Sequence, residues 1–393
     1  MTPFQRRYVV RSGLGRIADK VLAGERLSRG DGLELYRHPD LLAVGALANH
    51  LRERLHGDAA YYIINQHINH TNICVAGCRF CAFYRTRRQP DAYVLSPADV
   101  ERRMLQFIDR PIREIHMVGG VNPDLPLGYY VQVIRTIKRV RPEVHVKAFT
   151  RVEIAAMAEN FGMTCREVLV TLKEAGLGSI PGGGAEILTD HAHQVLFKGK
   201  IDHRAWIDIA KTAHRLGLRS NATMLYGHVE SVEERVDHML LLREAQDSTG
   251  GFLAFIPLAF HPENTRLSHI PRPTAADDLR QVAVGRLMLD NFPHVKAYWI
   301  MMTPRVAQTA LHFGADDMDG TVVTEEIFHE AGAVSPRVVS RRRLVALIEE
   351  AGRVPIERDT LYNPVAAGRD RTGSSWRTPL GAGAEGRAAR AAT

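Results

Sequence analysis

A chain of 393 residues with 45% hydrophobic content can bury one large barrel or two ordinary domains, and four cysteines are too few and too unevenly spread for a disulfide framework. Its net charge of +7 sits largely in Arg341–Arg343 and in the arginines beyond Ala366, without the aromatic-interleaved basic stripe that single-stranded nucleic acid needs, so no nucleic-acid partner is expected. No apolar run approaches the roughly 20 residues that span a bilayer, and the start of the chain lacks an apolar leader, which together argue for a reducing cytoplasm.

Residues 1–60 read as helices, because residues 16–23 and 41–55 carry apolar side chains at helical spacing and Pro39-Asp40 supplies a start signal. They form an N-terminal helical extension, read as a lid or cap. From Tyr61 strands and helices alternate. Strands are expected at 62–68, 114–118, 144–150, 178–181, 220–225, 252–258, 295–301 and 320–323, with helices at 127–140, 166–175, 203–216, 232–246, 275–291 and 304–313. Eight strands with this even cadence predict an α/β chain folded as a (β/α)8 TIM-type barrel over residues 61–364, closing in a helical segment. A doubly wound open sheet is the alternative. Beyond Pro364 the composition turns to Gly, Ala, Arg, Ser and Thr, so 365–393 reads as a disordered tail.

Just after the first strand stands Asn69-His-Thr-Asn-Ile-Cys74-Val-Ala-Gly-Cys78-Arg-Phe-Cys81-Ala-Phe-Tyr84. The C-x3-C-x2-C spacing turns three thiolates toward one point. Three sulfurs hold three irons of a [4Fe–4S] cubane and leave the fourth open to chelate S-adenosylmethionine (SAM), whose cleavage starts radical chemistry. A closed zinc site with His67 or His70 as fourth ligand is the competing reading, and an iron–sulfur electron carrier a third. Cys165, far along the chain, is not expected to be a ligand.

In a parallel barrel, chemistry gathers at the C-terminal ends of strands. Gly119-Gly120 ends the second strand, Lys147 and Thr150 the third, and Pro181-Gly-Gly-Gly-Ala-Glu186 the fourth. Consecutive glycines allow close approach of a ligand to backbone, and Glu186 can accept from ribose hydroxyls or an amine. Thr223, Tyr226, His228 and Glu230 follow the fifth strand, His261 the sixth, and Tyr298 and Trp299 lie on the seventh. Asp316-Asp317-Met-Asp319 suggests either a metal or turn caps.

Four stretches carry a resemblance: residues 69–85, Ser179–Ile187, Asn221–His228 and Phe255–Thr265. Through them the chain resembles the aminofutalosine synthases, radical SAM enzymes of the futalosine route to menaquinone. Leu258-Ala-Phe-His261-Pro262 stands where the related cyclase family has Trp-Thr-Phe-Gln-Pro, and Val121 follows Gly119-Gly120 where many radical SAM proteins have glutamate. The resemblance implies an adenosyl radical that adds to the enol ether 3-[(1-carboxyvinyl)oxy]benzoate, followed by aryl migration and carboxylate loss. It implies Cys74, Cys78 and Cys81 as cluster ligands and Phe80, Gly119, Gly120, Gly183, Glu186 and Thr223 around SAM. His67, Asn69, Arg85, Thr223, His228, His261 and Tyr298 are the residues expected to contact an anionic small-molecule substrate, and an external one-electron donor such as flavodoxin or ferredoxin is the expected partner.

Overall fold

The computed structural model describes residues 1–197 and 199–365. The expected tail beyond Val365 lies outside them. Strands β1 (Ala59–Ile63) and β2 (Asn65–Asn69) form one continuous stave interrupted only at Ile64. There follow β3 (Glu114–Val118), β4 (His145–Ala148), β5 (Ser179–Ile180), β6 (Arg219–Tyr226), β7 (Phe252–Ala259), β8 (His294–Val295), β9 (Asp317–Gly320) and β10 (Val354–Glu357). β2 through β8 make a parallel sheet in strict chain order, as crossover helices of constant hand require.

Hydrogen bonds carry the ring past both edges of that sheet. Asp316 N donates to the Val295 carbonyl at 3.1 Å and Ala297 N to the Asp317 carbonyl at 2.8 Å, joining β8 to β9. β9 pairs in parallel with β1, and His67 N donates to the Val323 carbonyl at 2.9 Å, joining the segment after β9 to β2. The expected eight-stave barrel is therefore present, and β10 lies beside β1 below the start of β3. Both faces of each stave are covered, the outer one by helices: Val133, Ile134 and Ile137 of helix Leu127–Val140 are fully buried in one cluster with Ile115, Val146, Leu169 and Leu172.

Two elements differ from the sequence reading. The seventh strand is only His294–Val295, and Tyr298 caps a helix that begins at Trp299. A short apolar run has no period that separates a buried strand from a buried helix. That helix is broken at Thr303, whose φ of 71° precedes Pro304, since the proline ring disfavours helical geometry in the residue before it. The eighth strand starts at Asp317, three residues earlier than expected, because its aspartates, poor strand formers, are buried against cations.

The N-terminal helices Pro3–Val9, Gly15–Ala23, Arg29–Arg37 and Leu41–His56 do not form a lid. They pack on the outer layer, where Tyr36 donates to Gln281 at 2.7 Å and Arg26 bonds Asp247 and Asp290. None of them lines the cavity described next.

Candidate active site

A cavity of about 250 Å3 opens at the C-terminal ends of the strands. His67, Asn69, Phe80, Cys81, Gly119, Gly183, Glu186, Thr223, His261 and Tyr298, all picked out in the sequence, converge on its wall. Gly120, Arg85 and His228 do not line it. Cys74 and Cys78 stand behind Cys81 in the same loop.

That loop is closed at its base by backbone: Cys74 N donates to the Arg85 carbonyl at 3.0 Å, and Arg85 N to the Asn72 carbonyl at 2.7 Å. Arg85 itself lies off the cavity wall. Its guanidinium donates to the carbonyls of Ala82, Phe83 and Tyr84 and pairs with Asp91, so it ties the loop together. The glycine pair ending β3 lets the barrel wall pass against this loop. A Cβ on Gly119 would stand 2.6 Å from the His70 ring, and one on Gly120 2.2 Å from the Ile73 carbonyl oxygen. Gly120 thus makes room for the chain itself, its N–H donating to the Thr71 carbonyl at 2.8 Å.

All four cysteines are free thiols. Burial pushes the Cys78 thiol up to about 12 and raises Cys81 as well, so both sulfurs stay protonated until a metal displaces the proton. Among the described residues only His56, His294 and Asp316 bring three ligating atoms within 4.8 Å of one another. The three loop sulfurs are set wider than a single tetrahedral zinc requires. His70 is also turned away from them: its Nε2 bonds Glu153 at 3.0 Å among Tyr129, Tyr130 and Phe149. The donor set fits a cubane with one open iron better than a closed zinc centre.

Glu186, after the three glycines, holds a left-handed φ of 42°. Its Oε1 accepts from Lys200 Nζ at 2.9 Å, while Oε2 is buried without a partner. Asn69 Oδ1, His67 Nε2 and His261 Nδ1 are also buried and unpartnered. Four orphaned polar atoms on one cavity wall point to a polar ligand, because an unpaired buried polar atom costs about 1–3 kcal/mol. His261 Nε2 lies 2.9 Å from the Met301 carbonyl, an acceptor, which makes Nε2 the N–H and leaves Nδ1 as a free acceptor. Burial lowers the pKa of this imidazole.

The sequence marked His67 and Lys147 of the cavity floor but not His116, Glu114 or Lys296. Register sets His67, His116 and Lys147 side by side on three adjacent strands. The two imidazoles stack with centroids 4.5 Å apart, and burial holds the pKa of His116 well below the ordinary value. Lys147 pairs with Glu114 at 2.7 Å and Lys296 with Asp319 at 2.7 Å. Burial would raise the Glu114 carboxyl, but Lys147 and the neighbouring cations outweigh it and keep it well below the usual range. Both lysines line the cavity.

Elsewhere the structure gives structural roles. Thr150 caps helix Arg151–Phe161 and shares Glu153 in a capping box, though it also borders the cavity. The fully buried His228 side chain bonds the Leu225 carbonyl through Nε2 at 2.9 Å, and Glu230 accepts from the backbone N–H groups of Gly227 and His228. The aspartates of residues 316–319 are counter-ions rather than a metal site: Asp316 pairs with Arg286, Asp317 with Arg358 and Asp319 with Lys296. In the three-ligand group His56, His294 and Asp316, the Asp316 carboxylate is thus shared by Arg286 and by His294 Nδ1 at 2.6 Å, and Tyr362 stacks on His294.

The comparisons with known proteins agree with this site. Residues 68–242 match the profile of the radical SAM superfamily and residues 249–370 that of the CofH/MqnC C-terminal region. The aminodeoxyfutalosine synthase of Thermus thermophilus is 45% identical, covering 89% of this chain and 95% of its own. The cyclic dehypoxanthine futalosine synthase of Halalkalibacterium halodurans is 37% identical, covering 90% and 96%. Among solved structures, methylornithine synthase shares the fold at a TM-score of 0.67 and 16% identity, covering 86% of this chain and 96% of that one. The thiol loop at the mouth of a parallel barrel and the sequence similarity over nearly the whole length converge, and the chain belongs to the aminodeoxyfutalosine synthase family of the radical SAM superfamily.

Proposed function

We propose that residues 61–364 form an aminodeoxyfutalosine synthase. In this reading the chain joins the adenosyl carbon of SAM to the enol-ether alkene of 3-[(1-carboxyvinyl)oxy]benzoate, with aryl migration and loss of one carboxylate, in menaquinone biosynthesis. The observation that carries it is one cavity with Cys81 and Phe80 in its wall and two buried ammonium groups, Lys147 and Lys296, in its floor. Cys74, Cys78 and Cys81 would hold the [4Fe–4S] cluster, which when bound supplies the electron that splits SAM into methionine and an adenosyl radical.

The remaining work falls to the chain's own side chains. Glu186 Oε2 and Asn69 Oδ1 are acceptors that suit the ribose hydroxyls and amino group of SAM. Lys147 and Lys296 suit the two carboxylates of the substrate. Each is already balanced by a carboxylate, so neither is stranded when the site is empty. Val118, Leu225, Ile256, Leu258 and Phe260 make the walls apolar and keep water from reactive species. His261 Nδ1 and the buried Tyr298 hydroxyl complete the polar rim. An external one-electron donor of the flavodoxin or ferredoxin class, in a reducing cytoplasm, belongs to this reading. No helix among the described residues is long and apolar enough to cross a membrane.

The test follows the adenosyl group. With SAM labelled in its adenosine portion and the enol ether present, most label should enter aminodeoxyfutalosine, with one carbon dioxide or bicarbonate per turnover. His261→Gln should lower labelled product and raise abortive 5′-deoxyadenosine. Release of mainly 5′-deoxyadenosine by the wild type, together with consumption of dehypoxanthine futalosine, would make the chain a cyclase instead.

A further inference from the structure

Lys200 was not singled out by any motif, yet it touches both halves of the site. Its side chain is 8% exposed. The ammonium lies 2.9 Å from Glu186 Oε1, 5.2 Å from the centroid of the Phe80 ring and 4.5 Å from that of Phe197. Phe80 is the residue just before Cys81, and a Cβ on Gly199 would stand 3.7 Å from backbone atoms of Val75 and Ala76 in the same loop. Lys200 therefore sits against the thiol loop, in an aromatic pocket where water screens little. Its ion pair with the Glu186 carboxylate keeps it cationic despite burial.

Glu186 supplies the second observation. A left-handed φ in a non-glycine residue is strained and persists only where the surroundings over-determine it. The Lys200 ion pair is the one side-chain bond of Glu186 among the described residues, and it leaves Oε2 free on the cavity wall.

We propose that Lys200 is a positioning residue with two effects: it holds Glu186 in its strained conformation with one oxygen facing SAM, and it places a fixed positive charge against the thiol loop that raises the reduction potential of the cluster. The proposal rests on the cluster reading given under Proposed function. The physical basis is that one-electron reduction makes the cluster more negative, so a buried cation nearby stabilises the reduced form. Glu186, one bond further on, opposes that effect and so makes the sign testable.

The experiment uses anaerobically reconstituted full-length protein, dye-mediated redox titration followed by electron paramagnetic resonance, and SAM binding by equilibrium dialysis. Lys200→Met should keep its iron and sulfide content but shift the reduction equilibrium about tenfold against the reduced form, equivalent to about 59 mV for one electron. It should also bind SAM about tenfold more weakly. Lys200→Arg should restore both values most of the way, and Glu186→Gln should move the potential in the positive direction while weakening SAM binding. An unchanged potential in iron-replete Lys200→Met overturns the proposal. Should Lys200→Met fail to load iron, Glu186→Gln decides, and a negative or absent shift there overturns it. Wild-type protein that takes up zinc and no iron would instead overturn the cluster reading.

Discussion

The tightest steric constraint near the thiol loop is at Gly120, and Gly120→Ala turns it into a measurement. The new methyl would stand 2.2 Å from the Ile73 carbonyl oxygen, 2.7 Å from its carbon and 2.9 Å from Cys74 Cβ. Ordinary contact between such atoms is about 3.3–3.6 Å, so the Ile73–Cys74 backbone must retreat by about 1 Å. It cannot do so freely. Cys74 N is bonded to the Arg85 carbonyl, Val75 N to the Val121 carbonyl at 3.0 Å, and Gly120 N to the Thr71 carbonyl. Overpacking against backbone costs about 1–3 kcal/mol, and a displacement of this size at a reacting site costs about 100-fold in rate. Gly120→Ala should therefore melt several degrees lower, take up less iron on anaerobic reconstitution, and lose about two orders of magnitude in turnover. Gly128→Ala is the control: it lies in helix Leu127–Val140 with nothing within 4 Å of its new methyl, and should gain up to about 1 kcal/mol. A Gly120→Ala protein with full iron and wild-type turnover would refute the reasoning.

The other predictions concern charge and ligation. Replacing Cys74, Cys78 or Cys81 singly with Ser should abolish SAM cleavage and lower iron content, whereas Cys165→Ser, at the first turn of helix Cys165–Ala175, should leave the iron analysis unchanged. Lys147→Met strands a buried carboxylate on Glu114 and should cost about 3–5 kcal/mol in chemical denaturation, while the Lys147→Met/Glu114→Gln double variant should recover much of it. A loss in the double variant as large as in the single one would show that the pair does not act as a unit. Asp319 is buried, which alone would raise its pKa, but Lys296 at 2.7 Å holds it down at about 2. A depressed carboxylate stabilises the fold fully above its unfolded value of about 3.9 and loses that contribution as pH falls toward 2. The gap in unfolding free energy between wild type and Asp319→Asn should thus narrow from pH 4 to pH 2, and a constant gap would mean the pair carries no pH-dependent stability.

Much of the chemistry was legible in the sequence because it is local. Cys74, Cys78 and Cys81 lie within eight residues, so their spacing alone brings three thiols into one loop. Strand-end placement likewise carried Asn69, Gly183, Glu186, Thr223 and His261 to the cavity wall, since a parallel barrel gathers those ends by construction. What stayed hidden depends on register and on long-range neighbours. Nothing in the sequence links Glu114 to Lys147 or Lys296 to Asp319, because each pair forms across strands whose alignment is set only when the ring closes. Arg85 and His228 looked like ligand contacts by residue type, but nearby carbonyls and carboxylates had first claim on their donors. The second glycine of β3 looked like room for a ligand and proved to be room for the chain's own Ile73 carbonyl. Lys200 lies more than a hundred residues from the thiol loop it stands against, and no local pattern marks it. Residue spacing decided which atoms could bind iron; tertiary packing decided which charges surround them, because charges far apart in the chain meet only through the closed barrel.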